Sequence, residues 1–281
     1  MSTIMHDGTN LVQDDLSEAW LAWSRSERRP ANTVRRRAAT LKSIGNAGTA
    51  TREDVEAWWL RRAYLAPASR HSDLANLHSF YKWCRRWEYR DDDPTLRIDA
   101  PHVDPGLPRP MTREDLHTAL DALSGDLRRA VCLGAYAGLR VSEAAALDWA
   151  DVDLEARQIR VMHSKGGKSR LVPIGPILLD ALLPRTGGNV VTGGGGGPLL
   201  TSGIPYSASR LAKRVSSAFR RLGIDATFHQ LRHRYGTIAY KATGDVLAVS
   251  RLMGHANINT TAVYAAANDE VAAKIALAVS A

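Results

Sequence analysis

The sequence is poor in cysteine and in acidic residues, and it contains no long apolar run. Cys84 and Cys132 are the only cysteines among 281 residues, and they form no close-spaced pair. That excludes a disulfide framework, argues against a thiolate zinc site, and fits a reduced cytosol. No stretch of about 18 apolar residues is present, so no membrane span is expected. The first residues, MSTIMHDGTN, lack the basic-then-apolar order of an export signal, which points to the cytoplasm of a bacterial cell. Gly193–Gly197 is a glycine run without the Lys-Ser/Thr that a phosphate-cradling P-loop needs, so it reads as a flexible surface loop.

Lys and Arg number 37 against 29 Asp and Glu, a net charge of +8 with a pI near 9.7. A polyanionic partner fits this balance. The excess is uneven. Residues 1–104 hold 16 basic against 15 acidic side chains, and residues 105–281 hold 21 against 14.

Apolar spacing predicts four helices in the first part of the chain. Leu11, Leu16, Trp20 and Trp23 mark the first, over 11–26. A second follows Pro30 and ends near Gly45. A third starts at Thr51, with Asp54 completing a capping box, and a fourth runs from about Ala68 to Trp87. Pro101, Pro105, Pro108 and Pro110 mark an extended linker. Beyond it, helices are expected at about 113–123, 126–137, 207–222, 229–241, 245–253, 259–265 and 269–279. Residues 158–163 and 169–174 read as a β-hairpin around KGGK. The boundaries are a helical domain over 9–97, a linker over 98–111 and a second domain over 112–281.

Three segments of the second domain carry reactive side chains: AYAGLRVSEAAAL with Arg140 and Glu143, HQLRHR with His229, Arg232 and His233, and GHANINTTAVY with His255 and Tyr264. Two guanidiniums can hold both non-bridging oxygens of a phosphodiester, imidazoles can move protons, and a phenol can attack. His229 and Arg232 stand one helical turn apart, on one face. Lys165 and Lys168, in the hairpin turn, are the candidate general acids. His229 and His233 make an H-x3-H pair, but no third ligand of suitable type lies nearby, so no metal is expected. Arg35, Arg36, Arg37, Lys82, Arg85 and Arg86 in the first domain are candidate phosphate contacts.

The order Arg140, His229, Arg232, His255, Tyr264 resembles the tyrosine recombinase (phage integrase) family, over roughly residues 112–264. The first domain bears a weaker likeness to the core-binding domain of that family. The resemblance implies a mainly α, two-domain C-shaped clamp: a helical core-binding domain joined to a mixed α/β catalytic domain with a small β-hairpin or sheet. It implies that Tyr264 forms a 3′-phosphotyrosyl bond, that Lys165 is the general acid, that His255 binds the phosphate and that Glu143 supports the site. Lys168 is left as a phosphate contact or a solvated turn residue. No cofactor or metal is implied. The expected partners are a double-stranded DNA attachment or recombination site, further copies in a tetramer that passes through a Holliday junction, and host or phage accessory proteins. The first helix begins near Leu11, which points to a simple recombinase without an arm-binding domain. Integration of phage or mobile DNA is the favoured role, with Xer-type resolution of chromosome or plasmid dimers as the alternative. A type IB topoisomerase-like relaxing enzyme and a non-catalytic DNA-binding protein are the readings from other classes. The tail, with Val271, Ile275, Leu277 and Val279, is expected to dock on its own domain or, as the family implies, on a neighbouring subunit.

Overall fold

The computed structural model describes residues 16–103, 109–162, 169–183, 200 and 206–254. The chain divides into two compact units, Met1–Pro105 and Gly106–Ala281. Both are built mainly of α-helix, with one small sheet in the second. Among the described residues no helix is long and apolar enough to cross a membrane.

The first unit holds α1 (Leu16–Ser26), α2 (Ala31–Ile44), α3 (Arg52–Arg61) and α4 (Pro67–Arg86). The Thr51 capping box forms as expected: Thr51 Oγ1 accepts the Asp54 N–H at 3.2 Å, and Asp54 Oδ2 accepts the Thr51 N–H at 2.9 Å. Trp20, Val55, Trp58, Leu74, Leu77, Phe80 and Tyr81 fill the core. Two of their polar atoms find partners. Trp58 Nε1 donates to Ser43 Oγ at 3.0 Å, and the Tyr81 hydroxyl donates to the Ala47 carbonyl at 3.0 Å.

The second unit runs α5 (Arg113–Ala122), α6 (Gly125–Ala137), α7 (Val141–Ala146), a 3-10 turn (Trp149–Asp151), β1 (Val152–Asp153), β2 (Gln158–Met162), β3 (Ser169–Pro173), α8 (Pro176–Leu182), α9 (Ala208–Arg221), α10 (Phe228–Thr243) and α11 (Val246–Met253). The strands form an antiparallel sheet in the order β1-β2-β3. Two short helices, α7 and α8, and the two-residue strand β1 were not predicted. All three are too short to show a period. The expected helices at 259–265 and 269–279, and the glycine run, lie outside the described residues.

In the β2–β3 pair, Ile159 stands opposite Val172 and Val161 opposite Arg170. Ile159, Val161 and Val172 are buried, which puts Arg170 on the core side of the sheet. In α10, the buried stripe is Phe228, Leu231, Arg232, Gly236 and Tyr240. Arg232 thus sits where a core residue is expected, at 2% exposure.

α6 ends on Gly138, which has φ +63°, and a Cβ there would lie 2.4 Å from Tyr235 Cδ1. Two costs therefore fall on any side chain at this position, left-handed backbone strain and collision with a ring. Gly138→Ala is expected to lower stability by about 1–3 kcal/mol or more. A denaturant midpoint unchanged from wild type would show that the Tyr235 ring and the turn relax freely.

Candidate active site

Arg140 is the N-cap of α7, and Glu143 is its third residue. The Glu143 carboxylate folds back on the cap, where Oε2 accepts the Arg140 N–H at 2.8 Å and Oε1 accepts from Arg140 Nη1 at 3.0 Å. A second arginine approaches from the sheet. Arg170 Nη1 and Nη2 donate to Glu143 Oε1 and Oε2 at 3.0 and 2.8 Å, a bidentate fork. A third, Arg232 of α10, has Nη1 at 3.8 Å from Glu143 Oε2. Three guanidiniums gather round one carboxylate. Both side chains of the Glu143–Arg170 pair are 8% exposed, and that of Arg140 is 37% exposed.

The same arginines share a second acceptor, the carbonyl end of α11. Arg170 Nε donates to the Leu252 carbonyl at 2.7 Å, Arg232 Nη2 to Met253 at 2.7 Å, and Arg140 Nη2 to Gly254 at 2.9 Å. Arg232 Nη1 also donates to the Gly138 carbonyl. The last carbonyls of a helix have no intrahelical partner and carry its partial negative charge, so cations are favoured there. Gly254 takes φ +65°, the left-handed helix-ending conformation.

Burial by itself would raise the Glu143 carboxyl. The hydrogen bonds from Arg170 and the Arg140 N–H, together with both positive charges, outweigh it and hold the group at about 2. Glu143 is therefore ionised throughout the physiological range, and it offsets only one of the three positive charges around it.

His229 lies in the first turn of α10 and is exposed. Partial desolvation, then the charges of Arg232 and Arg140, hold its pKa below the ordinary imidazole value of 6.5. At neutral pH it is therefore the uncharged, proton-accepting form. His233 packs edge-on against it with ring centroids 4.3 Å apart, and burial, then His229 and Arg232, bring it to about 4.

Of the residues singled out from sequence, Arg140, Glu143, His229 and Arg232 converge here. Lys165, Lys168, His255 and Tyr264 lie outside the described residues. His255 follows Gly254 directly in the chain, and Lys165 and Lys168 belong to the connection between β2 and β3. Sequence reasoning missed Arg170. Its signal was the alternation of Arg170 with Val172 and Ile174, which puts a guanidinium in an inward register.

In the first unit, Arg35 and Arg36 are exposed on α2. Lys82, Arg85 and Arg86 line a cavity of about 640 Å³ with His78 and Arg90. Arg37 corrects the expectation of a phosphate contact. It is 9% exposed, donates to Ser24 Oγ at 2.7 Å and Ser79 Oγ at 3.2 Å, and lies 4.5 Å over the Trp20 ring. Val34, Arg37 and Leu41 form one inward stripe of α2, so Arg37 cannot share a face with both of its arginine neighbours.

The phage integrase family matches residues 110–271. Among relatives, tyrosine recombinase XerC of Chromobacterium violaceum is 32% identical over 72% of this chain and 70% of its own. Tyrosine recombinase XerD of Xanthomonas axonopodis pv. citri is 34% identical over 73% and 74%. In fold, the chain is similar to a lambda integrase dimer bound to a COC' core site, with TM-score 0.71, 16% identity, and 89% and 76% of the two chains covered. It is also similar to the Tn1549 transposon integrase in complex with transposon right end DNA, with TM-score 0.70, 19% identity, and 90% and 94% covered. The chain belongs to the phage integrase family of tyrosine recombinases, enzymes that break and rejoin DNA.

Proposed function

We propose that this recombinase integrates phage or mobile DNA at a specific duplex site, with Tyr264 as nucleophile. The observation that carries the reading is the cluster of Arg140, Arg170 and Arg232 on Glu143 and the carbonyl end of α11, directly before His255 in the chain. Tyr264 Oη bonds to phosphorus as the P–O5′ bond breaks. The phenolic proton passes toward neutral His229, and Lys165 protonates the departing 5′ oxygen. Arg140, the most open of the three guanidiniums, meets the non-bridging oxygens with His255. Arg232 joins it by exchanging its Met253 acceptor for phosphate. The phosphotyrosyl bond conserves the energy of the broken one, so rejoining to a partner strand needs no cofactor. Arg35, Arg36, Lys82, Arg85, Arg86 and Lys168 contact the DNA backbone, a salt-dependent and sequence-independent contribution. Two exchanges through a Holliday junction require a tetramer, which the tail of each subunit links to the next. The reaction takes place in the bacterial cytoplasm, with accessory proteins setting its direction.

A second reading, Xer-type resolution of chromosome or plasmid dimers, is favoured by the XerC and XerD relatives at 32 and 34% identity. One experiment separates the readings. The protein is incubated with nicked, fragmented DNA of its source, and DNA that stays attached after denaturation is sequenced. A recurring site beside the protein's own gene is the expected result. A single site far from that gene favours dimer resolution. Adducts without sequence preference point to a relaxing enzyme, and the absence of adducts to a non-catalytic binding protein.

A further inference from the structure

We propose that Arg170 is a positioning residue for strand cleavage: its guanidinium fork fixes Glu143 against the carbonyl end of α11 and thereby sets the direction of Arg140. The inference rests on the cleavage reading above. Arg170 is presented by β3 on the core side, opposite Val161. All three of its nitrogens are engaged, two with Glu143 at 3.0 and 2.8 Å and one with the Leu252 carbonyl at 2.7 Å. With its whole fork held by Glu143 and its Nε by Leu252, it has no donor turned to a phosphate. It acts through its partners.

Glu143 is the coupling piece. Each of its oxygens serves Arg170 and Arg140 together: Oε1 takes both Nη1 atoms, and Oε2 takes Arg170 Nη2 and the Arg140 N–H. Without Arg170, this buried carboxylate would lean more heavily on Arg140, with Arg232 at 3.8 Å. It would draw the Arg140 guanidinium inward, away from the side where a phosphodiester binds. The last turn of α11 would lose the donor to Leu252 as well, and with it part of what fixes Met253 and Gly254, the other acceptors of Arg232 and Arg140. Lysine cannot replace the fork, since one ammonium cannot span two carboxylate oxygens and a carbonyl with the same planar geometry.

The test uses a nicked duplex bearing the site trapped by the wild-type protein. One version carries the natural phosphodiester at the scissile position, and the other a neutral methylphosphonate. A neutral phosphorus group needs little guanidinium charge, so misplacement of Arg140 matters less on it. Arg170→Gln is expected to bind the duplex as the wild type does and to cleave the phosphodiester about 10- to 100-fold more slowly in a single turnover. On the methylphosphonate its deficit should largely vanish. Arg170→Lys should fall between Arg170→Gln and wild type. Wild-type cleavage by Arg170→Gln overturns the proposal. So does an equal deficit on both substrates, which marks a purely structural role. If Arg170→Gln does not fold, Arg170→Lys is read by the same two criteria, and a wild-type rate on the phosphodiester overturns the proposal. If the wild type itself forms no adduct, the cleavage reading fails and this inference falls with it.

Discussion

Tyr264→Phe is expected to bind the recombination site like the wild type and to form no covalent adduct at all. The substitution removes one oxygen, the atom proposed to attack phosphorus, and keeps the aromatic ring. The measurement is a denaturing gel after incubation with a nicked duplex, on which the diffusing strand fragment makes cleavage irreversible. The structure supplies the control. Tyr235 is the phenol packed against Gly138 at the arginine cluster, and burial raises its pKa, against the lowering effect of Arg170 and Arg232. A raised, partly covered phenol is a poor nucleophile. An adduct that persists in Tyr264→Phe and disappears in Tyr235→Phe would transfer the role to Tyr235.

Lys165→Ala is expected to slow cleavage by about 10²- to 10⁴-fold, the usual contribution of a positioned general acid. Strands β2 and β3 end at the Met162–Ser169 pair, so the six-residue connection that carries Lys165 and Lys168 leaves the sheet one residue from Arg170. Arg170 touches Glu143, which holds Arg140. A duplex with sulfur in place of the bridging 5′ oxygen has a leaving group that needs little protonation, and Lys165→Ala should recover most of its rate on it. An equal deficit on oxygen and sulfur substrates would remove Lys165 from the acid role and turn attention to Lys168.

The residues that depend on local order were legible in the sequence. Thr51 and Thr112 start helices because their hydroxyls accept the N–H three residues on, at 3.2 and 3.0 Å, and short polar side chains can do that wherever the chain turns. The hairpin followed from two apolar alternations about a glycine pair. Arg140, His229 and Arg232 stand out by their motifs and order; so does Tyr264, which lies outside the described residues. The inward turn of Arg37 was also present, in the spacing of Val34, Arg37 and Leu41, although three consecutive arginines conceal it. What only the tertiary structure decided is the company these residues keep. Glu143 and Arg170 are 27 residues apart, and Arg140 and the Gly254 carbonyl 114 apart. No period or spacing connects them, because their pairing depends on how β3, α7, α10 and α11 pack together. An arginine in a strand reads as a solvated residue until the sheet register turns it inward. Once it is buried, a guanidinium must find acceptors for its donors. The carboxylate of Glu143 and the open carbonyls of α11 are the groups that the packing brings within its reach.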